Sequence, residues 1–147
     1  MTDLIRTARW NGNPTVVAFL DLSKAYDRVW RDGLRNKLIT QFRVSGRLLR
    51  WLSNFLSDRT ARVVLQCSAS PYTSPGLGLP QGSPLSQVLF ACYVNDATSL
   101  PRPLSVELCL YADDIAATSS APSVASASAA LTAFLCDLLA WSKQWRL

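Results

Sequence analysis

The sequence predicts an α+β domain in which helices pack on one face of an antiparallel sheet, and three observations carry this prediction. A continuous apolar run, TVVAFLD at residues 15–21, is typical of a central strand that is buried on both faces. Two further apolar runs, joined by Asp113 and Asp114, predict a β-hairpin within residues 106–119. Segments with apolar residues at helical spacing fill most of the remaining chain.

The size and composition of the chain limit the classes of function. Its 147 residues, 49% of them hydrophobic, suffice for one domain with a sizeable core. The sequence has no run of about 18 uninterrupted apolar residues, as a membrane span requires, and its start has no signal-peptide core. We therefore expect an intracellular protein without a membrane partner. The four cysteines are widely spaced and form no CxxC pair, which predicts buried free thiols. Because the sequence has no histidine, any metal site must use oxygen ligands.

Positive charge is concentrated in the first part of the chain. Residues 1–62 hold twelve Lys or Arg and five Asp, whereas residues 63–147 hold three basic and five acidic residues. Most of the basic residues are arginines, which bind phosphates through a planar fork of donors. The charge predicts a nucleic-acid face, and a merely solvated basic surface remains the alternative.

Helices are predicted over residues 26–39, 46–56, 84–97 and 122–145. We expect Trp51 to pack in or beside the core, with a platform for base stacking as the alternative. Residues 62–66 predict a short strand, followed by a loop or a loosely paired hairpin in residues 68–78. Ser83 and Pro84 form a typical helix start. Gly82 and the helix N-terminus leave room for a phosphate or a sugar, and Gln81 points polar groups into the same space. A plain capped helix after a turn is the alternative.

Carboxylates stand at the ends of the predicted strands. Asp21 ends the first strand, and Asp113 and Asp114 form the tip of the hairpin. A water-facing Asp-Asp turn explains the pair taken alone. A carboxylate against an apolar sheet is costly unless it is paired or binds a metal, and we expect all three to share one pocket. Oxygen ligands suit Mg²⁺ or Mn²⁺, and two such ions about 4 Å apart promote phosphoryl transfer. The sequence therefore predicts nucleotidyl transfer on a polynucleotide.

Three segments resemble, in order and spacing, the palm motifs of reverse transcriptases, and they are most similar to those of non-long-terminal-repeat (LINE/jockey-like) retrotransposons. The segments are AFLDLSKAYDRVW at residues 18–30, LPQGSPLS at residues 79–86 and YADD at residues 111–114. GLRNKL, WLSNFLSDR, YVND and LAWSKQW are similar to the same family. The resemblance implies a right-hand polymerase palm, with residues 1–147 forming a reverse transcriptase domain with partial fingers. It also implies that the N-terminal fingers, the thumb and any endonuclease domain lie outside the chain.

The resemblance further implies an RNA-directed DNA polymerase that adds dNTPs to the 3′-OH of a DNA primer on an RNA template. Two Mg²⁺ ions, with Mn²⁺ as a substitute, would be its cofactors, in a ribonucleoprotein of the nucleus and cytoplasm. By this resemblance the metal ligands are Asp21, Asp113, Asp114 and the carbonyl of Leu22, the three aspartates being catalytic. The residues beside the nucleotide and the primer end are Tyr26, which blocks a ribose 2′-hydroxyl, together with Gln81, Gly82 and Ala112.

Two residues depart from the family pattern, and two other functions remain open. Gln87 stands where a proline is common, and Arg31 where a histidine is frequent; neither departure removes a metal ligand. A catalytically silent fragment that binds nucleic acid is one alternative. The other is a different palm enzyme, such as an RNA-dependent RNA polymerase or a nucleotide cyclase, against which Tyr26 and Ala112 argue. A palm without fingers and thumb is expected to be weak or inactive alone.

Overall fold

The computed structural model describes Arg6, Trp10 and residues 12–74 and 76–147. The chain forms two compact units: the sheet unit, made of the described residues up to Ala25 and of Val94–Leu147, and the helical unit, Tyr26–Tyr93. The elements in chain order are β1 (Thr15–Asp21), α1 (Ala25–Arg28), α2 (Arg31–Thr40), α3 (Gly46–Leu56), β2 (Val64–Leu65), β3 (Ser68–Ala69), α4 (Pro84–Val94), a 3-10 helix (Asn95–Ser99), β4 (Val106–Tyr111), β5 (Asp114–Ser120) and α5 (Val124–Gln144).

The sheet unit contains an antiparallel sheet with the strand order β1-β5-β4. β4 and β5 form the predicted hairpin, and β1 pairs with β5 from Thr15 opposite Ser120 to Asp21 opposite Asp114. The prediction that β1 is a central strand buried on both faces is wrong. Within the described residues β1 pairs on one side only, and Phe19 is 77% exposed. An apolar run favours a strand, but its neighbours depend on segments far away in the sequence.

Helix α5 packs against all three strands of this sheet. Ser123 caps it, because its side chain accepts a hydrogen bond from the backbone N–H of Ser126 (3.1 Å). The buried side chains recur every three or four residues: Ala127, Leu131, Phe134, Leu138 and Trp141. By length and composition alone, α5 is the one helix of the described chain that would be able to cross a membrane, a test that core helices of globular domains also pass.

In the helical unit, two helices replace the predicted single helix over residues 26–39. The break falls at Val29 and Trp30, where Trp30 has extended backbone angles and its N–H donates to the hydroxyl of Tyr93 (3.4 Å). The ring of Trp30 lies against Gly33, where a Cβ atom would be only 2.5 Å from the ring. A contact between residues distant in sequence therefore ends α1, and helical spacing alone does not reveal such a contact.

A buried lysine joins α2 to the end of α4. Lys37 is fully buried, its Nζ donates to the backbone carbonyl of Tyr93, and the same atom lies 4.8 Å from the centroid of the Tyr93 ring. Lysine is rarely buried without partners, so these two contacts explain how the charge is accommodated. The pair fixes α4 to the α2–α3 layer within the helical unit.

The four cysteines are free, but the prediction that they are buried is wrong. Three of them, Cys67, Cys109 and Cys136, are exposed, and only Cys92 is half-buried. Burial raises the pKa of the Cys92 thiol. Apolar neighbours in sequence do not determine burial, because alternate residues of a strand and the outer side of a helix face away from the core.

Gly78 brings the loop before α4 into backbone contact with α1. Its φ is +83°, and a Cβ atom there would lie 2.7 Å from both Cα and the carbonyl oxygen of Asp27. The N–H of Gly78 donates to the carbonyl of Val29 (3.0 Å), and that of Leu79 donates to the carbonyl of Tyr26 (2.8 Å). Both the positive φ and the close approach require glycine here.

The substitution Gly78→Ala should destabilise the helical unit by about 2–4 kcal/mol, because it adds a steric clash to an unfavourable backbone conformation. Gly82→Ala is the matched control: its φ is +82°, but nothing lies within 4 Å of the added Cβ, so we expect a loss of only about 1 kcal/mol. Urea unfolding followed by circular dichroism measures both. Equal losses would contradict the steric argument.

Candidate active site

Two of the predicted carboxylates lie opposite each other at one end of the sheet. Asp21 is the last residue of β1, Asp114 is the first residue of β5, and the two are cross-strand partners. Partners in an antiparallel pair project to the same face, with their Cβ atoms about 4.5–5.5 Å apart. Both side chains are exposed. Since like charges directly opposite are unfavourable, this end of the sheet is suited to bind a cation.

The third carboxylate lies in the turn of the hairpin. Tyr111 is opposite Asp114, so Ala112 and Asp113 form a two-residue loop. Ala112 has a φ of +52°, a left-handed conformation that costs roughly 1–2 kcal/mol for a residue other than glycine. The N–H of Leu22 donates to the carbonyl of Asp113 (3.4 Å), which ties the end of β1 to the turn.

The structure brings two of the three aspartates together rather than all three. Across the described residues, no group of three or more carboxylate or thiol side chains lies close enough to hold a metal ion. Asp113 lies in the turn rather than in a strand, so the register that pairs Asp21 with Asp114 does not place its side chain beside theirs. The Leu22 carbonyl accepts a hydrogen bond from the N–H of Ala25 (3.0 Å) and retains a second lone pair that can bind a cation.

The face of the sheet that carries Asp21 and Asp114 is open and apolar. Phe19 and Tyr111 are 77% and 80% exposed, and both lie on this face by register. Together with Cys109 they line a cavity of about 280 Å³ that extends to Asp114. The opposite face carries the buried side chains that pack toward α5. The carboxylates therefore lie beside a broad apolar surface.

Three predicted nucleotide-binding residues belong to the helical unit. The ring of Tyr26 stacks on that of Phe90, with centroids 4.7 Å apart. Gln81 and Gly82 are exposed in the loop that precedes α4, and the Gln81 side-chain amide donates to a carboxylate oxygen of Asp27 (2.8 Å). Nothing lies within 4 Å of the position that a Gly82 Cβ atom would occupy. The loop is thus accessible where the sequence predicts a ligand.

Two arginines of the helical unit form a site that the sequence motifs do not identify. Arg31 and Arg59 line a pocket of about 270 Å³, together with Asp27 and Gln81. The guanidinium of Arg31 donates to the carbonyl of Gly78 (2.9 Å) and to that of Leu77 (3.2 Å). Burial lowers the pKa of Arg31, and so do the positive charges of Arg59 and Arg35. The basic composition of residues 1–62 is the only sequence signal of this cluster.

The profile of one protein family, described as reverse transcriptase (RNA-dependent DNA polymerase), matches residues 2–147. The chain belongs to the reverse transcriptase family. It is 34% identical over 132 residues to the "Probable RNA-directed DNA polymerase from transposon BS" of Drosophila melanogaster. It is also 30% identical over 140 residues to the "RNA-directed DNA polymerase from mobile element jockey" of the same organism. The two alignments cover 86% and 92% of this chain.

These similarities confirm two predictions. The resemblance to reverse transcriptases of jockey-like non-long-terminal-repeat retrotransposons is correct, and so is the α+β fold class. The chain spans only a small part of these relatives, since the alignments cover 14% and 15% of their lengths. In this chain of the reverse transcriptase family, Asp21 and Asp114 face each other at one end of the sheet.

Replacing the strained alanine of the turn tests the geometry of the hairpin. We expect Ala112→Gly to raise the free energy of unfolding by up to about 1 kcal/mol, because glycine adopts a positive φ without steric cost. Ala116→Gly, within β5, is the control and should lower it by about 0.5–1 kcal/mol. Thermal unfolding of both variants provides the comparison. A loss of stability in Ala112→Gly equal to that of the control would contradict the turn conformation.

Proposed function

We propose that this chain is the palm core of an RNA-directed DNA polymerase that adds dNTPs to the 3′-OH of a DNA primer on an RNA template. The observation that carries the proposal is Asp21 opposite Asp114, with Asp113 in the adjoining turn, in a chain of the reverse transcriptase family. The similar proteins from transposon BS and jockey carry the name RNA-directed DNA polymerase. The open face beside these carboxylates supports a polymeric substrate.

The proposed metal site consists of Asp21, Asp113, Asp114 and the carbonyl of Leu22, and it would hold two Mg²⁺ ions, with Mn²⁺ as a substitute. The donors are all oxygens, which these ions prefer. A cation between the two opposed carboxylates would reduce the repulsion between their negative charges. When bound, the ions would activate the primer hydroxyl and stabilise the charge on the leaving phosphates. The hydrogen bond from Leu22 to the Asp113 carbonyl keeps the strand end and the turn together.

We propose that four further residues position the nucleotide and the primer. The Tyr26 ring, held by its stacking on Phe90, would exclude a ribose 2′-hydroxyl. Gln81 would orient the incoming nucleotide from the loop before α4, and Gly82 leaves the space that this approach needs. Ala112, in the hairpin turn, would lie beside the primer end. Positioning of this kind supplies much of the rate in phosphoryl transfer.

The chain is proposed to act as part of a longer polymerase. Residues 1–147 would form the palm of a right-hand polymerase with partial fingers, and further fingers, the thumb and any endonuclease domain would come from the remainder of the protein. This proposal is supported by the alignments, which cover only 14% and 15% of the lengths of the two relatives. We further propose that this polymerase acts in a ribonucleoprotein of the nucleus and the cytoplasm. Alone, the chain should be weakly active or inactive.

The variant Asp113→Asn tests the polymerase proposal. The rate at which the primer is extended on an RNA template with dNTPs and Mg²⁺ should fall about 10³-fold, because one charged oxygen ligand is lost. Asp137→Asn, on the exposed side of α5, removes the same charge and should leave synthesis unchanged. Each variant is compared with the unmodified chain, alone and extended with finger and thumb segments. Absence of synthesis by the folded, extended, unmodified protein would favour the silent nucleic-acid-binding alternative.

The variant Tyr26→Ala tests the selection of sugars. Without the ring, nothing obstructs the 2′-hydroxyl. The ratio of the incorporation efficiency of ribonucleotides to that of dNTPs should therefore rise at least about tenfold. Tyr26→Phe keeps the ring and its stacking on Phe90, so its discrimination should match that of the unmodified protein. Single-nucleotide incorporation with matched rNTP and dNTP series measures the ratio. Unchanged discrimination in Tyr26→Ala would contradict the assignment.

A further inference from the structure

One side of helix α3 carries an apolar stripe, formed by the exposed side chains of Leu48 and Trp51 and the half-buried ring of Phe55. Leu48 and Trp51 are 54% and 57% exposed, so the prediction that Trp51 packs in or beside the core is wrong. The rings of Trp51 and Phe55 are stacked, with centroids 6.3 Å apart, and the guanidinium of Arg59 lies 5.2 Å from the Phe55 centroid. The side chains that α3 buries are Leu52 and Leu56 instead.

The charge around this stripe is positive. Arg43, Arg47 and Arg50 are exposed on and just before α3, and Arg59 follows its end. The one acidic residue in residues 43–59 is Asp58. A flat aromatic surface among arginines can stack on bases while the guanidinium groups bind phosphates.

The stripe leads into the pocket that Arg31 and Arg59 line. Arg59 belongs to both, since it lies against Phe55 and also forms part of the pocket wall. Asp27 is the one carboxylate among the described residues that line the pocket, and one of its oxygens accepts a hydrogen bond from Gln81. Burial lowers the pKa of Arg31, and the positive charges of Arg59 and Arg35 lower it further. An anion in the pocket would relieve the repulsion between these like charges.

We propose that the stripe and the pocket bind a single strand of RNA, with a base stacked on Trp51 and a phosphate between Arg31 and Arg59. The proposal rests on the function proposed above, in which an unpaired RNA template must be held. Single-stranded RNA is recognised through stacking on aromatic side chains and through arginine contacts with the backbone. A second copy of the chain is the less suitable occupant, because a symmetric contact would bring the same arginines against one another.

Binding of a fluorescently labelled 12-nucleotide oligouridylate, measured by anisotropy in EDTA without dNTPs, tests this site independently of catalysis. Trp51→Ala should weaken binding about tenfold, and Trp51→Phe should restore most of it, because one stacked base is lost and regained. Arg59→Gln should weaken binding and lower the slope of log affinity against log salt by about 0.7, as expected for one lost phosphate contact. Both side chains are exposed, and circular dichroism verifies that each variant is folded.

Arg102→Gln is the matched control, since it removes one charge from an exposed arginine of the sheet unit and should leave the affinity close to that of the unmodified chain. Equal losses in Arg102→Gln and Arg59→Gln would overturn the proposal, as would unchanged binding in Trp51→Ala. A dimer in size-exclusion chromatography that Trp51→Ala dissociates, with RNA binding intact, would also overturn it. The variant Asp113→Asn should bind the oligonucleotide with unchanged affinity, because this assay contains neither metal ions nor dNTPs. A failure of the polymerase proposal would therefore change the result of primer extension and not that of the binding assay.

Discussion

The register between β1 and β5 is the constraint on which the carboxylate site depends. A slip of one residue would move Asp21 to the other face of its strand and place it opposite Ile115 or Asp113 rather than Asp114. Such a slip is costly because Leu20 pairs with Ile115, which is buried on the face toward α5. The apolar packing of one face therefore fixes the position of the acidic groups on the other.

The second face of the sheet carries exposed side chains among the residues that the structure describes. Helix α5 buries its apolar stripe against one side, whereas Phe19 and Tyr111 remain exposed beside the carboxylates on the other. Sites for small molecules are enclosed and bury most of the ligand surface. The cavity beside Asp114 is open toward this apolar face, which suits a long ligand that covers the face, as we propose for a nucleic acid.

Local patterns in the sequence predicted local structure well. The bounds of β1 and α3 follow from an apolar run and from helical spacing, and the hairpin follows from two apolar runs around an acidic pair. The contacts made across the chain were not predictable in this way. The break at Trp30 depends on Tyr93, and the exposure of Trp51 depends on which face of α3 the rest of the helical unit covers. Whether Asp21 and Asp114 lie opposite each other likewise depends on the register between β1 and β5, which cannot be derived from either strand alone.

Arg31 links packing and charge within the helical unit. Its guanidinium donates to the carbonyls of Leu77 and Gly78, in the loop that Gly78 also holds against α1. A histidine at this position would donate to two carbonyls only when protonated, whereas arginine does so with a permanent charge. At neutral pH the pocket beside Gln81 therefore keeps its positive charge, because the residue that anchors the loop is also a cation facing the proposed strand of RNA.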